Sequence, residues 1–226
     1  MSDWTLLGTW VALVALAGAF CIAARRAGVG LTYLRDLVHV GAGAWPLGWP
    51  LWTGPLLPIG LSLAGAAATF AVPSLASRAP VFGRFRDSIS DATERWNGVR
   101  LYGVSFAIGT IAGFALSPLP AAAALLCLAL GDGLGGLIGR RYGRHSFMAP
   151  GAKPKSLEGT AGVAVFSALA VILAMLRFGT PLSPLPVAAA AVAAALAEAF
   201  APEGTDNLFV PVSVWLVLTA LQGGGA

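Results

Sequence analysis

From Leu37 to Ser77 the chain carries no Asp, Glu, Lys or Arg, and the same holds from Leu101 to Gly131. Each run is about twice the ~20 apolar residues an α-helix needs to cross a bilayer. Trp4 to Ala24 is a third uncharged run, long enough for one crossing. In hydrocarbon every backbone N–H and C=O must be paired within the protein, so runs of this length and period are expected to be helices. Composition supports this: 57% of the residues are hydrophobic and 11% charged, where soluble domains carry about 25% charged residues. Mean hydropathy is +0.79.

Proline divides the double-length runs. Trp49-Pro50 and Gly54-Pro55 split the first, and Ser117-Pro118-Leu119-Pro120 splits the second, because proline disfavours continued helix at and before its own position. Between them, Phe85, Ile89, Ala92 and Trp96 recur at helical spacing in a charged loop, which predicts a short interfacial helix near residues 84–97. Gly159 to Leu176, Phe178 to Ala197 and Leu208 to Gln222 complete the set. The expected fold is all-α: a polytopic transmembrane bundle of about eight spans, seven being the alternative, in one integral membrane domain over residues 1–226. Trp4 to Ala24 lacks a basic segment before it and is followed by Arg25 and Arg26, so it reads as a retained span rather than a signal peptide. Cys21 and Cys127 lie in apolar runs and read as packing residues.

With eight spans, all the basic residues except Arg177 fall on one face, which the positive-inside rule makes cytoplasmic and which puts both termini outside. The net charge of +4 is thus a topology signal. No basic and aromatic stripe points to nucleic acid. The acids do not set topology, yet all except Asp3 share that face.

Four groups of residues there can carry chemistry. Gly131-Asp132-Gly133-Leu134-Gly135-Gly136 contains G-x-G-x-x-G, but an apolar membrane run precedes it instead of a strand, which excludes a dinucleotide fold. Helix packing accounts for the glycines; Asp132, a carboxylate at the end of a span, is costly to bury and points to function. Lys153-Pro154-Lys155-Ser156-Leu157-Glu158-Gly159-Thr160 places a lysine, a hydroxyl and free amides at a helix start, a phosphate site, although Ser156 as a simple cap is an equal reading. Glu198, Glu203, Asp206 and Asn207 offer oxygen ligands for Mg²⁺; Asp206 capping the last helix is the plainer alternative. Arg35 and His39, spaced i, i+4, share one helix face and suit an anion. Acids for a metal, a lysine, an arginine and glycines together fit phosphoryl transfer, which is mostly positioning and charge stabilisation.

In this order the motifs resemble the dolichol kinase and phytol kinase family of CTP-dependent membrane lipid kinases, related to phosphatidate cytidylyltransferases. The matching pieces are Arg35-Asp36-Leu37-Val38-His39, Gly131-Asp132-Gly133 with Gly139-Arg140-Arg141-Tyr142-Gly143, Lys155 to Thr160, and Glu198 with Asp206-Asn207-Leu208-Phe209-Val210-Pro211. Asp36 departs from the family's lysine, and Arg100 or Arg140 is expected to supply the missing charge. The resemblance implies transfer of the γ-phosphoryl of a nucleoside triphosphate, CTP, to an isoprenoid alcohol such as phytol, farnesol or a polyprenol, within the bilayer and with Mg²⁺. It implies Asp132, Asp206 and Glu198 as metal ligands, and Asp132, Lys155, Glu158 and His39 as catalytic residues. Arg35, Gly131, Gly133, Arg140, Ser156, Gly159 and Asn207 are implied on the nucleotide and phosphates. Glycine-rich faces permit a homodimer. A cytidylyltransferase-like CDP-lipid synthase is the runner-up, but that family's Pro-Lys-Arg-Asp run is missing. A small transporter is third, since the charges lie at one surface rather than the midplane.

Overall fold

The computed structural model describes residues 2–90, 93–148, 154–202 and 204–223, residues 93–95 by backbone alone. Ala92, Lys153 and Glu203, singled out above, lie outside them. Among the described residues, six helices are long and apolar enough to cross a membrane. These are α1 (Asp3–Arg26), α4 (Leu56–Leu75), α6 (Thr93–Ala115), the continuous rod α7–α8 (Pro118–Tyr142), α9 (Leu157–Arg177) and α11 (Asp206–Gly223). Helix α10 (Pro184–Phe200) is apolar but shorter. Between α1 and α4 the chain runs through α2 (Leu31–Gly41), the four-residue α3 (Ala44–Leu47) and a 3₁₀ turn (Trp49–Leu51). These bring it back to the start of α1, where the Asp3 carboxylate accepts hydrogen bonds from the Thr53 amide and hydroxyl at 3.0 and 2.9 Å.

The rod is the centre of the molecule. Its first half, α7 (Pro118–Leu126), begins with proline at the first helical position, where no N–H is needed. From Ala121 to Ala129 every residue is buried, and the alanines let α6, α9, α10 and α11 close around it. The outward side chains of α1, such as Val14, Leu16 and Phe20, are exposed, as a lipid-facing helix requires. Cys21 and Cys127 are free and buried.

Two expectations change. The loop after α4 holds α5 (Pro80–Ile89), earlier than the 84–97 segment; the helix ends at Ile89, and Trp96 already belongs to α6. There Trp96 is buried and donates its indole N–H to the Thr69 carbonyl of α4 at 2.6 Å, so it is a tie between spans and not part of an interfacial face. Second, Asp132 is not at the end of a span. The helix continues past it through α8 (Gly133–Tyr142), because Gly135 and Gly139 let α8 pack against α9. A Cβ on Gly135 would sit 2.6 Å from the Val163 amide nitrogen, and one on Gly139 would sit 3.2 Å from Gly159 Cα. A side chain at 135 would collide with the Val163 backbone, and one at 139 would crowd Gly159. A short hairpin, β1 (Ser146–Phe147) paired antiparallel with β2 (Lys155–Ser156), links α8 to α9.

Candidate active site

The rod is interrupted where the chemistry is. Cys127–Asp132 forms a π-helical turn joining α7 to α8, a distortion that tends to accompany functional positions because it re-aims side chains out of the regular ladder. Asp132 closes that turn. His39 of α2 reaches it: Nε2 lies 2.9 Å from the Leu128 carbonyl and 3.5 Å from Asp132 Oδ2. A carbonyl can only accept, so Nε2 carries the proton. The approach is possible because residue 133 is glycine; a Cβ there would lie 3.0 Å from His39 Cδ2. Tyr102 of α6 fixes the other side of His39, donating its hydroxyl to the His39 carbonyl at 2.6 Å, with the two rings 4.4 Å apart.

Lys155 stands at the end of the hairpin and meets two acids from distant sequence. Its ammonium forms an ion pair with Glu198 of α10, and Asp206, the first residue of α11, lies 3.7 Å away. Burial opposes the lysine's charge, but the carboxylates of Glu198, Asp206 and Asp132 outweigh it and hold its pKa above the ordinary lysine range. Glu198 is 6% exposed, and among the described residues its second, buried oxygen has no hydrogen-bond partner, an arrangement that normally signals a missing partner. Asn207 holds the start of α11 against α6: its side-chain amide donates to the Gly98 carbonyl at 2.9 Å, and its own carbonyl accepts from Ser105 at 2.6 Å.

These groups surround one cavity of about 990 Å³. Arg35, His39, Asp132, Gly133, Arg140, Lys155, Ser156, Gly159, Glu198, Asp206 and Asn207 all line it. Val38, Ile89, Val99 and Leu101 add apolar side chains to its lining. Arg35 has no ion-pair partner among the described residues. Ser156 caps α9, accepting from the Gly159 amide at 3.1 Å, and lines the cavity.

Two expected residues stand elsewhere. The Glu158 carboxylate faces the hairpin, accepting from the Arg144 and His145 amides at 3.1 and 3.3 Å and bonding His145 Nδ1 at 2.6 Å. Gly131 packs under Ser167, whose hydroxyl would lie 2.1 Å from a Cβ. Nor does Arg100 supply the charge lost at Asp36. It lies outside the cavity wall, with its guanidinium over Phe70 and bonded to Asn97. Arg140 is ion-paired to Asp36 itself. Tyr102 escaped the sequence reading because a tyrosine near the start of an apolar run looks like an interfacial anchor.

Carboxylates from three elements, each reaching the same cavity, suit an oxygen-ligand cation. Among the described residues no three His, Cys, Asp or Glu side chains already converge as a closed shell. The unpartnered Glu198 oxygen is the best-placed donor.

A phytol kinase of Synechocystis sp. is 36% identical to this chain over 196 residues, covering 82% of the chain and 78% of that protein. The chain belongs to the phytol kinase family. No family model matches it, and no solved structure does. Within the phytol kinase family the resemblance gives position 36 a lysine; here Asp36 pairs with Arg140 from a helix 104 residues away in sequence.

Proposed function

We propose that the protein is a membrane lipid-alcohol kinase that transfers the γ-phosphoryl group of CTP to an isoprenoid alcohol such as phytol, farnesol or a polyprenol. Family membership supports the reaction class. The observation that carries it is the single cavity in which these groups meet. Lys155, Arg35 and Ser156 offer it groups that suit phosphates, and Val38, Ile89, Val99 and Leu101 add apolar surface to the same lining. In this reading the chain crosses the bilayer eight times, α2, α3 and the 3₁₀ turn together making the second crossing, with the cavity at the cytoplasmic surface and both termini outside. The cavity then meets a dissolved nucleotide from one side and a membrane-dissolved alcohol from the other.

The acceptor oxygen attacks the γ-phosphorus, the bond to the β–γ bridging oxygen breaks, and the hydroxyl proton leaves to Asp132. His39 holds Asp132 in place through the π-helical turn. Lys155 and Arg35 neutralise the phosphates as charge moves onto the leaving nucleoside diphosphate. Asp206, Glu198 and Asp132 would hold Mg²⁺, which would supply further charge neutralisation. Glu158 acts by fixing the hairpin that carries Lys155, not by touching the acceptor.

The test is to incubate purified protein with Mg²⁺, CTP or ATP, and a panel of lipid alcohols, and to weigh the products. A phosphorylated lipid with CDP is expected. With phosphatidate added to the panel, a CDP-lipid with pyrophosphate would replace the kinase with a cytidylyltransferase, and no product from any alcohol or from phosphatidate would reject both. ATP serving as well as CTP would correct the donor alone.

A further inference from the structure

We infer that a second cavity, between α2 and α8, receives the hydrocarbon tail of the acceptor, and that the Asp36–Arg140 ion pair is the threshold between tail and head group. This rests on the lipid-alcohol kinase reading and specifies where the alcohol lies. The second cavity measures about 400 Å³ and is lined by Thr32, Tyr33 and Asp36 of α2 and by Leu137, Arg140 and Arg141 of α8. Asp36 and Arg140 also line the large cavity, so the two spaces adjoin across this ion pair.

Size, closure and surroundings agree. The large cavity, about 990 Å³, is at the top of the ~300–1,000 Å³ typical of one small-molecule site. In the kinase reading that cavity receives the nucleoside triphosphate and the alcohol head, and the long tail lies outside it. On the α5 side the way out is shut: Ile89 packs with Cys21, Val72 and Trp96, and Phe82, Phe85 and Val99 cover them. On the α9 side, Gly135, Gly139, Gly159 and Gly162 bring backbone against backbone. Between α2 and α8 the two cavities share Asp36 and Arg140 in their linings. Outside that pair, Tyr33 and Leu37 of α2 and Tyr142 of α8 are exposed at the basic end of the bundle, the depth at which head groups meet acyl chains. Leu137, the Tyr33 ring and the methylene stems of Arg140 and Arg141 give a tail apolar surface while the guanidinium heads stay wet. A lysine at position 36 would have faced Arg140 as a like charge; the aspartate makes a closable pair.

Leu137→Trp fills the outer cavity from a residue that does not line the large one. A phytol analogue with a photoreactive group at the tail end, activated on wild type in vesicles, is expected to label residues 31–41 and 133–142, and labelling there is expected to vanish in Leu137→Trp. Labelling confined to α4, α5 or α11, or labelling that Leu137→Trp leaves unchanged, overturns the inference. Turnover gives a second readout: kcat/KM for phytol is expected to fall roughly tenfold or more, with prenol, the single-isoprene alcohol, little affected. Equal losses on both, or none on either, count against the portal. Labelling at α2 and α8 in a wild type that phosphorylates no alcohol would sink the kinase reading and leave the tail site standing.

Discussion

Replacing Lys155 by Met separates what this lysine does for the fold from what it does for phosphate. In the free protein Lys155 neutralises Glu198, and the two side chains keep 19% and 8% of their surface exposed. Removing one partner of a buried pair leaves the other charge uncompensated, at about 3–5 kcal/mol. The exposed part of the lysine and the second acid nearby set the expectation at the lower end, about 3 kcal/mol. Glu198→Gln in the same chain removes the stranded charge, so the double variant should recover most of that loss. Activity should not follow: loss of a phosphate-neutralising group costs roughly 10²–10³ in kcat, and the double variant keeps that defect. Thermal unfolding in micelles and phosphoryl transfer, measured on wild type, both singles and the double, complete the cycle. The raised lysine pKa makes its stabilisation fully present below the unfolded value of 10.5 and lost only as pH rises through the folded one. The cycle is therefore insensitive to Lys155 titration over roughly pH 6–9. A Lys155→Met protein as stable and as active as wild type, or a double variant no more stable than the single, would refute the reasoning.

Asp132→Ala should abolish turnover and leave the melting midpoint near wild type; wild-type rates would remove Asp132 from the chemistry. Gly135→Ala should cost about 1–3 kcal/mol of stability by forcing a Cβ against Val163, read as a lower midpoint in micelles, and an unchanged midpoint would contradict the α8–α9 approach. Glu158→Gln should raise KM for the nucleotide more than it lowers kcat, since it loosens the hairpin without touching the reacting atoms; a fall in kcat as deep as that of Asp132→Ala would place Glu158 in the chemistry instead. Tyr102→Phe removes the hydroxyl bonded to the His39 carbonyl at 2.6 Å, at about 1 kcal/mol, and should lower kcat only modestly, checked by paired melting and rate measurements.

Hydropathy and proline placement alone announced a helical membrane protein, because the length of hydrocarbon to be crossed and the cost of charge within it are read residue by residue along the chain. The break at Ser117-Pro118, the cap at Ser156 and the shared face of Arg35 and His39 were legible for the same reason: each is settled within a few residues of sequence. Whether a charge faces the cavity is another matter, since that depends on how each helix is rotated and how near its neighbour comes. Asp132 and Glu158 looked alike in sequence, yet one ends a π-helical turn inside the cavity and the other turns away to His145. Lys155 meets Glu198 and Asp206, and Asp36 meets Arg140, across long stretches of sequence, in a bundle where glycines at 135, 139 and 159 bring α8 and α9 to backbone contact. The sequence by itself determined the solvent, the helices and the kinds of groups available. Tertiary structure decided which groups meet, because approach and rotation are set by packing between segments far apart in the chain.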